Sequence, residues 1–266
     1  MADLKDFARS VAVVVSSCDA FFDVWRPFAF FFRKHWADCP FPIFLIVNEL
    51  RIRSASIQAL PVGPDRGWAS NMKTALEKLE QPHVLYLQED YFLDRPVRRE
   101  QLAEDFACAF DQNADAFCLR ARTKLEPDFQ PINDRFGVVP RNSDGRTRCQ
   151  TTLWKREAFL KALHEGETAW EMEARGSDRK RDMLALSYST REHASLSYLM
   201  SGIVRGLWTR EGLAMCKEHG CRIEPHFRGT YSDSSPLRRL KRALTRRRFA
   251  PAQAKVRNSV IDLDAA

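Results

Sequence analysis

The sequence lacks long apolar runs and paired cysteine motifs. The longest apolar runs, Val11–Val15 and Phe28–Phe32, are far shorter than the ~20 residues that a membrane-spanning helix needs. The 7 cysteines form no Cys-x-x-Cys pair, and their irregular spacing fits a reducing compartment better than a disulfide framework. The stretch MADLKDFARS at the start has mixed charge and no apolar signal segment. We therefore expect a soluble, cytoplasmic protein.

Glycine-rich phosphate-binding loops are also missing. Neither Gly-x-Gly-x-x-Gly nor Gly-x-x-x-x-Gly-Lys-Ser/Thr occurs among the 11 glycines. Such loops bring backbone N–H groups close to a phosphate, so their absence weakens the dinucleotide oxidoreductase and kinase interpretations. What remains is a chain with 44% hydrophobic residues, enough for a sizeable core.

The net charge of +7 is concentrated in one segment. The segment LRRLKRALTRRR (237–248) has seven basic residues and no acid, so the rest of the chain is close to neutral. Wound as a helix, this segment places three leucines on one face among arginines, a pattern typical of docking to an anionic lipid surface. A solvated extension is the alternative. Nucleic-acid binding is disfavoured, because no aromatic residues are interleaved with the basic ones.

Predicted strands and helices alternate through the first half of the chain. Strands are predicted at 10–19, 41–49 and 84–87, and helices at 23–36, 67–79 and 99–110. This order predicts an α/β fold with a mainly parallel sheet and helices on both faces. After Phe117 the pattern loosens into short strands at 115–122 and 134–142, a helix at 154–166 and helical material at 195–220. The second half is therefore expected to be mixed and built on the same sheet.

Polar residues follow three of the predicted strands. The groups are Ser16-Ser17-Cys18-Asp19, Asn48-Glu49 and Gln88-Glu89-Asp90. Ligands of parallel sheets bind beyond the carboxyl ends of the strands, so all three groups are expected at the rim of one crevice. The oxygens of Glu89 and Asp90 suit Mg²⁺ or Mn²⁺ bridging a diphosphate. The alternative is a surface turn with solvated acids.

A second group of candidates lies in AWEMEARGS (169–177). Trp170 offers a flat apolar face for a sugar ring, and Glu171 and Glu173 lie beside it. A carboxylate against an aromatic wall has a raised proton affinity, which suits a general base. On an extended segment both acids point the same way, whereas on a helix they diverge. Glu171 is the first choice for the base, and an ordinary surface helix start is the alternative.

The order of these motifs resembles the GT-A glycosyltransferases, particularly bacterial enzymes that assemble surface polysaccharides such as lipopolysaccharide and capsule. The resemblance covers about residues 10–225 through SSCD, VNE, GWASNMKTALE, VLYLQEDYFL, CQTTLWKREAFLKAL and WEMEARGSDRK. It implies a GT-A (Rossmann-like) fold and a hexosyltransferase-like, inverting transfer of sugar from a nucleotide-sugar donor, with UDP-sugars favoured. The acceptor would be a saccharide or lipid-linked saccharide at the inner face of the plasma membrane.

The resemblance also divides the chain and assigns roles by position. We expect one catalytic domain over 1–236, with a donor half over about 1–115 and an acceptor half over about 116–236, followed by a basic tail over 237–266. The implied donor-binding residues are Ser17, Cys18, Asp19, Asn48, Trp68, Asn71, Gln88, Glu89 and Asp90. The implied acceptor-binding residues are Gln150, Trp154 and Trp170, although anchoring of the following helix is the favoured role for Trp154. The catalytic candidates are Glu171 and Glu173.

Metal use stays open at this stage. The family's acidic motif is Asp-x-Asp, whereas this chain has Gln88, Glu89 and Asp90. Mg²⁺ or Mn²⁺ at Glu89 and Asp90 is one alternative. In the other, basic side chains replace the metal, as in some GT-A enzymes; the candidates are Lys73, Arg120, Arg122 and Lys124. His226 is a further candidate ligand, for which a structural role is the alternative.

Two other functions compete with glycosyl transfer. A sugar nucleotidyltransferase of similar fold would need a glycine-rich phosphate loop after the first strand, and SSCDAFFD has no glycine. A non-catalytic module that binds an anionic surface or nucleic acid through 237–248 would use only the basic segment.

Overall fold

The computed structural model describes residues 2–122, 125–223, 228–231 and 259–265. The strands are β1 Val11–Ser16, β2 Ile43–Val47, β3 Arg51–Arg53, β4 Ile57–Pro61, β5 His83–Gln88, β6 Ala116–Cys118, β7 Gln130–Pro131, β8 Phe136–Val138, β9 Thr152–Lys155, β10 Ala185–Tyr188, β11 Ile203–Val204, β12 Leu207–Trp208 and β13 Val260–Asp262. The α-helices are α1 Phe22–Trp36, α2 Trp68–Glu77, α3 Arg99–Asp111, α4 Arg156–Ala162, α5 Ala169–Arg179 and α6 Arg210–Glu218. Short 3₁₀ turns lie at Leu4–Phe7, Asp19–Phe21 and Arg191–His193.

A nine-stranded sheet in the order β4-β2-β1-β5-β9-β6-β10-β8-β7 forms the centre of the fold. The first four strands in this order run parallel to one another. β9 is antiparallel to both of its neighbours, and beyond β10 the pairing is again antiparallel. The predicted α/β class is therefore confirmed, with a parallel half built by the first part of the chain and a mixed half built by the second.

Helices cover both faces of this sheet. Successive side chains of a strand point to opposite faces, so the apolar run of β1 serves two cores. Val13 and Val15 belong to the cluster that contains the aromatic stripe of α1 and the apolar face of α3. Val14 belongs to a second cluster with α2, α4 and α5. None of the helices among the described residues is long and apolar enough to cross a bilayer.

The register of the central strands brings two predicted motifs to one edge. Ser16, the last residue of β1, lies beside Gln88, the last residue of β5. Because the two strands are parallel, the polar residues that follow them leave the sheet at the same edge. The Glu89 N–H even continues the ladder by donating to the Ser16 carbonyl at 3.3 Å. Two of the three polar strand ends predicted from the sequence therefore lie at the same edge of the sheet.

The segment 195–220 differs from its helical prediction. It contains an antiparallel hairpin of β11 and β12, and α6 begins only after it. The two residues between these strands, Arg205 and Gly206, have φ of 52° and 77°. Two consecutive positive φ values define the type I′ turn that joins tight hairpins. The helical prediction is wrong for this part, because a two-residue turn decides the local structure.

The C-terminal strand returns to the domain. β13 pairs in parallel with β3, and Ile261 and Leu263 are buried in the core beside α1. Arg33 of α1 donates to the Leu263 carbonyl at 3.1 Å and pairs with Asp264 at 2.6 Å. Residues 259–265, which the sequence division places in the tail, therefore contact the domain.

The basic segment 237–248 lies outside the described residues, as do Lys124 and His226. Membrane docking through that segment and a ligand role for His226 stay predictions. The division into a domain over 1–236 and a tail over 237–266 also stays a prediction.

Candidate active site

Two cavities meet at the carboxyl ends of β1 and β5. The smaller has a volume of about 230 Å³ and is bordered by the end of β1 and the start of α2. The larger, of about 810 Å³, is bordered by the end of β5, the start of α5 and the β11–β12 hairpin. Phe21, Gln88, Glu89 and Ala169 line both cavities. A ligand with two parts can therefore lie across the end of β5, with one part in each cavity.

The smaller cavity brings together six of the nine predicted donor-binding residues. Ser17, Cys18, Trp68 and Asn71 line it, together with Gln88 and Glu89 from the shared wall. The Trp68 indole N–H donates to the Ser16 hydroxyl at 3.0 Å, which fixes its ring at the rim. Burial raises the pKa of the Cys18 thiol to about 12, so this thiol is neutral at physiological pH.

Asp19 and Asn48 have a different place from the one predicted. The Asp19 carboxylate accepts hydrogen bonds from the N–H groups of Asn48, Glu49 and Leu50 at 2.8–2.9 Å. The Asn48 amide oxygen accepts from the Asp19 N–H at 3.0 Å. Neither residue lines the two cavities. Their predicted nucleotide contact is corrected accordingly: both side chains are used in tying the end of β1 to the end of β2.

Glu89 and Asp90 are buried carboxyls that both line the larger cavity, and Glu89 also lines the smaller one. Burial and the neighbouring Asp90 carboxylate raise the pKa of Glu89 well above its ordinary value. Burial raises the pKa of Asp90 from 3.8 to about 7, although Asp90 Oδ2 accepts a hydrogen bond from the Ile203 N–H at 3.1 Å. Arg228 lowers the pKa of both groups, but its guanidinium also forms a buried ion pair with Asp23 at 2.6 Å. The pair is therefore short of positive charge.

This shortage fits a cation bound with a diphosphate. Mg²⁺ is commonly held by one or two carboxylates plus substrate phosphates, and Glu89 and Asp90 supply two carboxyls at one cavity wall. Within the described ranges, no group of three or more His, Cys, Asp and Glu side chains is arranged to hold a metal ion by itself. The residues present thus fit a cation that arrives together with its phosphate ligand.

The larger cavity contains two of the three predicted acceptor-binding residues. Trp170 is 80% exposed and lines the cavity, so its indole is available to a ligand. Gln150 also lines it, and the Gln150 amide oxygen accepts from the Tyr198 hydroxyl at 2.9 Å. Trp154 is fully buried and stacks on Phe159, with the two ring centroids 4.8 Å apart. The acceptor role predicted for Trp154 is therefore wrong, because this ring belongs to the core.

The two candidate bases diverge because α5 is a helix. Glu171 is the third residue of α5 and forms a capping box, in which its carboxylate accepts from the N–H and hydroxyl of Thr168. Its pKa is lowered by these bonds, and it does not line the cavity. Glu173, two residues on, points to the other side of the helix and lines the larger cavity. The first choice of Glu171 as base is corrected in favour of Glu173.

Glu173 has the properties that a general base needs. Its Oε1 accepts from the Cys149 N–H at 2.7 Å, which fixes the carboxyl in place. Burial raises its pKa above the ordinary glutamate value. A half-buried carboxylate with raised proton affinity, facing a cavity, can take a proton from a bound hydroxyl group.

Lys73, Arg120 and Arg122, the basic candidates that the structure describes, do not line the two cavities. Lys73 pairs with Glu165, Arg122 pairs with Glu126, and the Arg120 guanidinium lies 5.6 Å from the centre of the Tyr198 ring. Among the described residues that line the two cavities, Arg205 is the only lysine or arginine. The sequence signal for Arg205 was the stretch IVRGLW, in which two β-forming pairs flank two residues that can form a hairpin turn.

No family model and no curated protein sequence matches this chain at a significant level. Among solved structures, residues 1–349 of S. aureus TarS are similar over 71% of this chain, with 12% identity and a TM-score of 0.47. The same fragment in complex with UDP-GlcNAc gives 14% identity over 71% of this chain, with a TM-score of 0.40. The chain spans about 60% of the first TarS structure. The galactosyltransferase LgtC, in complex with donor and acceptor sugar analogs, is similar over 92% of this chain and 95% of its own, with 11% identity and a TM-score of 0.34. These are distant likenesses, and they assign no role to any residue of this chain.

Proposed function

We propose that this chain is a glycosyltransferase of the GT-A type that moves a sugar from a nucleotide-diphosphate sugar to a saccharide acceptor. One observation carries the proposal: Glu173 lines the same cavity as Glu89 and Asp90, and a second cavity adjoins it at the shared wall. In this proposal Glu173 is the proton acceptor, Glu89 and Asp90 mark the diphosphate subsite, and the smaller cavity receives the nucleoside. The sugar of the donor and the acceptor hydroxyl then meet in the larger cavity.

The donor lies across the end of β5 in this proposal. Its nucleoside occupies the smaller cavity beside Trp68 and Asn71, and its diphosphate lies at Glu89 and Asp90. Glu89 and Asp90 would hold a divalent cation, which would supply positive charge to offset that of the diphosphate. The sugar then projects into the larger cavity. UDP-sugars are the first donors to test.

The reaction is a direct displacement with inversion. The acceptor hydroxyl gives its proton to Glu173 as its oxygen attacks the anomeric carbon of the donor sugar. A new carbon–oxygen bond forms while the bond to the diphosphate breaks, and the nucleoside diphosphate leaves with the electron pair. Trp170, exposed at the rim, stacks on the acceptor ring, and Gln150 hydrogen-bonds a sugar hydroxyl.

Donor binding is the first test. Purified protein is titrated with UDP, GDP, CDP, ADP and dTDP, with and without Mn²⁺, by calorimetry and thermal shift. Binding of at least one nucleoside diphosphate is expected. Failure of all five, in both conditions, would contradict the proposed function.

The role of Glu173 is tested against its neighbour on the same helix. Glu173→Gln keeps an oxygen for the Cys149 N–H and removes the base, so turnover is expected to fall ~10²–10⁴-fold with donor binding unchanged. Glu171→Gln is the matched control, because glutamine also serves in a capping box and its activity should stay near wild type. Loss of turnover in Glu171→Gln with retention in Glu173→Gln would reverse the assignment.

Binding to a membrane through 237–248 is part of the proposal for a lipid-linked acceptor. Deleting 237–266 is a poor test, since it also removes Ile261 and Leu263 from the core. Replacing the basic residues of 237–248 with glutamine keeps β13. We expect this variant to lose binding to phosphatidylserine vesicles and to retain transfer to a water-soluble acceptor. Unchanged vesicle binding would remove the membrane role.

A further inference from the structure

The β11–β12 hairpin borders the larger cavity and is attached directly to the acidic strand end. The Asp90 carboxylate accepts from the Ile203 N–H, and the Asp90 carbonyl accepts from the Gly202 N–H, both at 3.1 Å. A Cβ on Gly202 would lie 2.7 Å from the Phe92 ring, so only glycine permits this close approach. The position of the hairpin therefore depends on Asp90.

The first central residue of this turn is an arginine, which type I′ turns do not favour at that position. Both central positions of a type I′ turn have positive φ and favour Asn, Asp and Gly. Arg205 holds the first of them at φ 52°, a left-handed conformation that is unfavourable for a long side chain. Residues kept in such conformations cluster at ligand sites. Local folding preference therefore does not explain Arg205.

The side chain of Arg205 is available to a ligand. It is exposed and lines the larger cavity together with Glu89 and Asp90. No hydrogen bond or ion pair within the described residues holds its guanidinium. The other arginine close to the acidic pair, Arg228, is already paired with Asp23. Among the described residues, Arg205 thus has no side-chain partner and lies beside the place where the diphosphate is proposed to bind.

We propose that Arg205 binds the diphosphate of the donor, and that Asp90 positions it by holding the hairpin. The inference rests on the proposed function and names the residue that receives the leaving group. A guanidinium binds two phosphate oxygens at once through parallel N–H groups, which a compact ammonium group does not. Charge that develops on the leaving diphosphate is offset by a group already in place, so the chain needs little rearrangement during the reaction.

Arg205→Gly is the decisive variant. Glycine favours the left-handed conformation, so this change removes the guanidinium while the hairpin and the melting temperature are retained or improved. With the nucleoside diphosphate that wild type binds best, we expect affinity to fall ~10–100-fold, and affinity for pyrophosphate to fall similarly. Affinity for the matching nucleoside is expected to stay unchanged. Arg205→Lys should recover only part of the loss.

Arg210→Ala is the matched control. Arg210 is exposed at the first residue of α6, carries the same charge and does not line the cavity. Its affinity for diphosphate should equal that of wild type. An equal loss in both variants would mean a general charge effect and would overturn the inference.

Three further results would overturn it. They are unchanged diphosphate affinity in Arg205→Gly, an equal loss for the nucleoside, and a rise only in the acceptor KM, which would place Arg205 against an acidic acceptor. Each leaves the proposed function intact, because wild type still binds its donor. Absence of diphosphate binding by wild type is a separate outcome that contradicts the proposed function itself.

Discussion

Replacing Asp90 with asparagine tests the energetic cost of the buried acidic pair. Folding raises the pKa of Asp90 from 3.8 to about 7, so the folded state binds its proton more tightly than the unfolded chain does. The stability that this group contributes is fully present below about pH 4 and is lost as pH rises through about 7. Asparagine carries no charge at any of these pH values, and its amide oxygen can still accept from the Ile203 N–H.

The magnitude follows from the shift. Each pKa unit corresponds to about 1.4 kcal/mol, so a rise of roughly three units places an upper bound of about 4 kcal/mol on the gain from Asp90→Asn above pH 7. The neighbouring Glu89 carboxyl responds to the change, because its own pKa is raised in part by Asp90. We therefore expect a measured gain of ~2–4 kcal/mol at about pH 8, about 1 kcal/mol at about pH 4.5 and close to none at about pH 3.

Urea unfolding in EDTA, repeated across this pH range, measures the difference. Asp262→Asn is the control of opposite sign, because Arg53 lowers the pKa of this exposed carboxylate. That variant should lose a little stability at neutral pH, and its difference from wild type should shrink in acid. A gain in Asp90→Asn that does not vary with pH, or a loss of stability at about pH 8, would refute the reasoning.

Wild type and Asp90→Asn also test whether the acidic pair binds a divalent cation. A divalent ion bound by Glu89 and Asp90 relieves the repulsion between them, so Mn²⁺ with a bound nucleoside diphosphate should raise the melting temperature of wild type more than that of Asp90→Asn. Equal shifts in the two proteins would indicate that the Asp90 carboxylate does not hold the ion.

Other changes separate the roles of the site from the roles of the core. Trp154→Ala should cost ~3–5 kcal/mol in urea unfolding, whereas Trp170→Ala should leave stability unchanged and raise the acceptor KM, and the reverse pattern would contradict the assignment. Gly202→Ala places a Cβ 2.7 Å from the Phe92 ring and should cost ~1–3 kcal/mol while weakening diphosphate binding; a neutral result would show that the hairpin moves freely. In the pH profile of kcat, the midpoint of the acid limb should lie above ~4.3, the ordinary pKa of glutamate, because Glu173 must be ionised to accept a proton. A midpoint below that value would exclude Glu173 as the base.

Features set by local pattern could be predicted from the sequence. The β-branched run of β1 and the apolar run of β5 predicted central strands, and their parallel pairing follows from the helices between them. Two polar strand ends, Ser17 and Glu89, consequently lie at one rim. The rule for ligand sites in parallel sheets was sufficient here, since it depends only on strand direction.

Which of two neighbouring side chains faces the cavity was harder to predict. Glu171 and Glu173 are the same residue type, and only the position at which α5 begins decides which of them faces the cavity. The signal was present, because Thr168 followed three residues later by Glu171 is a capping box. The hydrogen bonds between Asp19 and Asn48 had no comparable signal, since they join residues far apart in the chain and depend on the exact approach of β1 and β2.

The return of the chain to β3 limits how far the basic segment can extend. Tyr231 is hydrogen-bonded to the Trp208 carbonyl at one end of the intervening stretch 232–258, and β13 is paired at the other. A stretch anchored at both ends can extend to only about half of its contour length, here roughly 45 Å. Any surface that binds the basic residues of 237–248 must therefore come within about that distance of the two anchored ends.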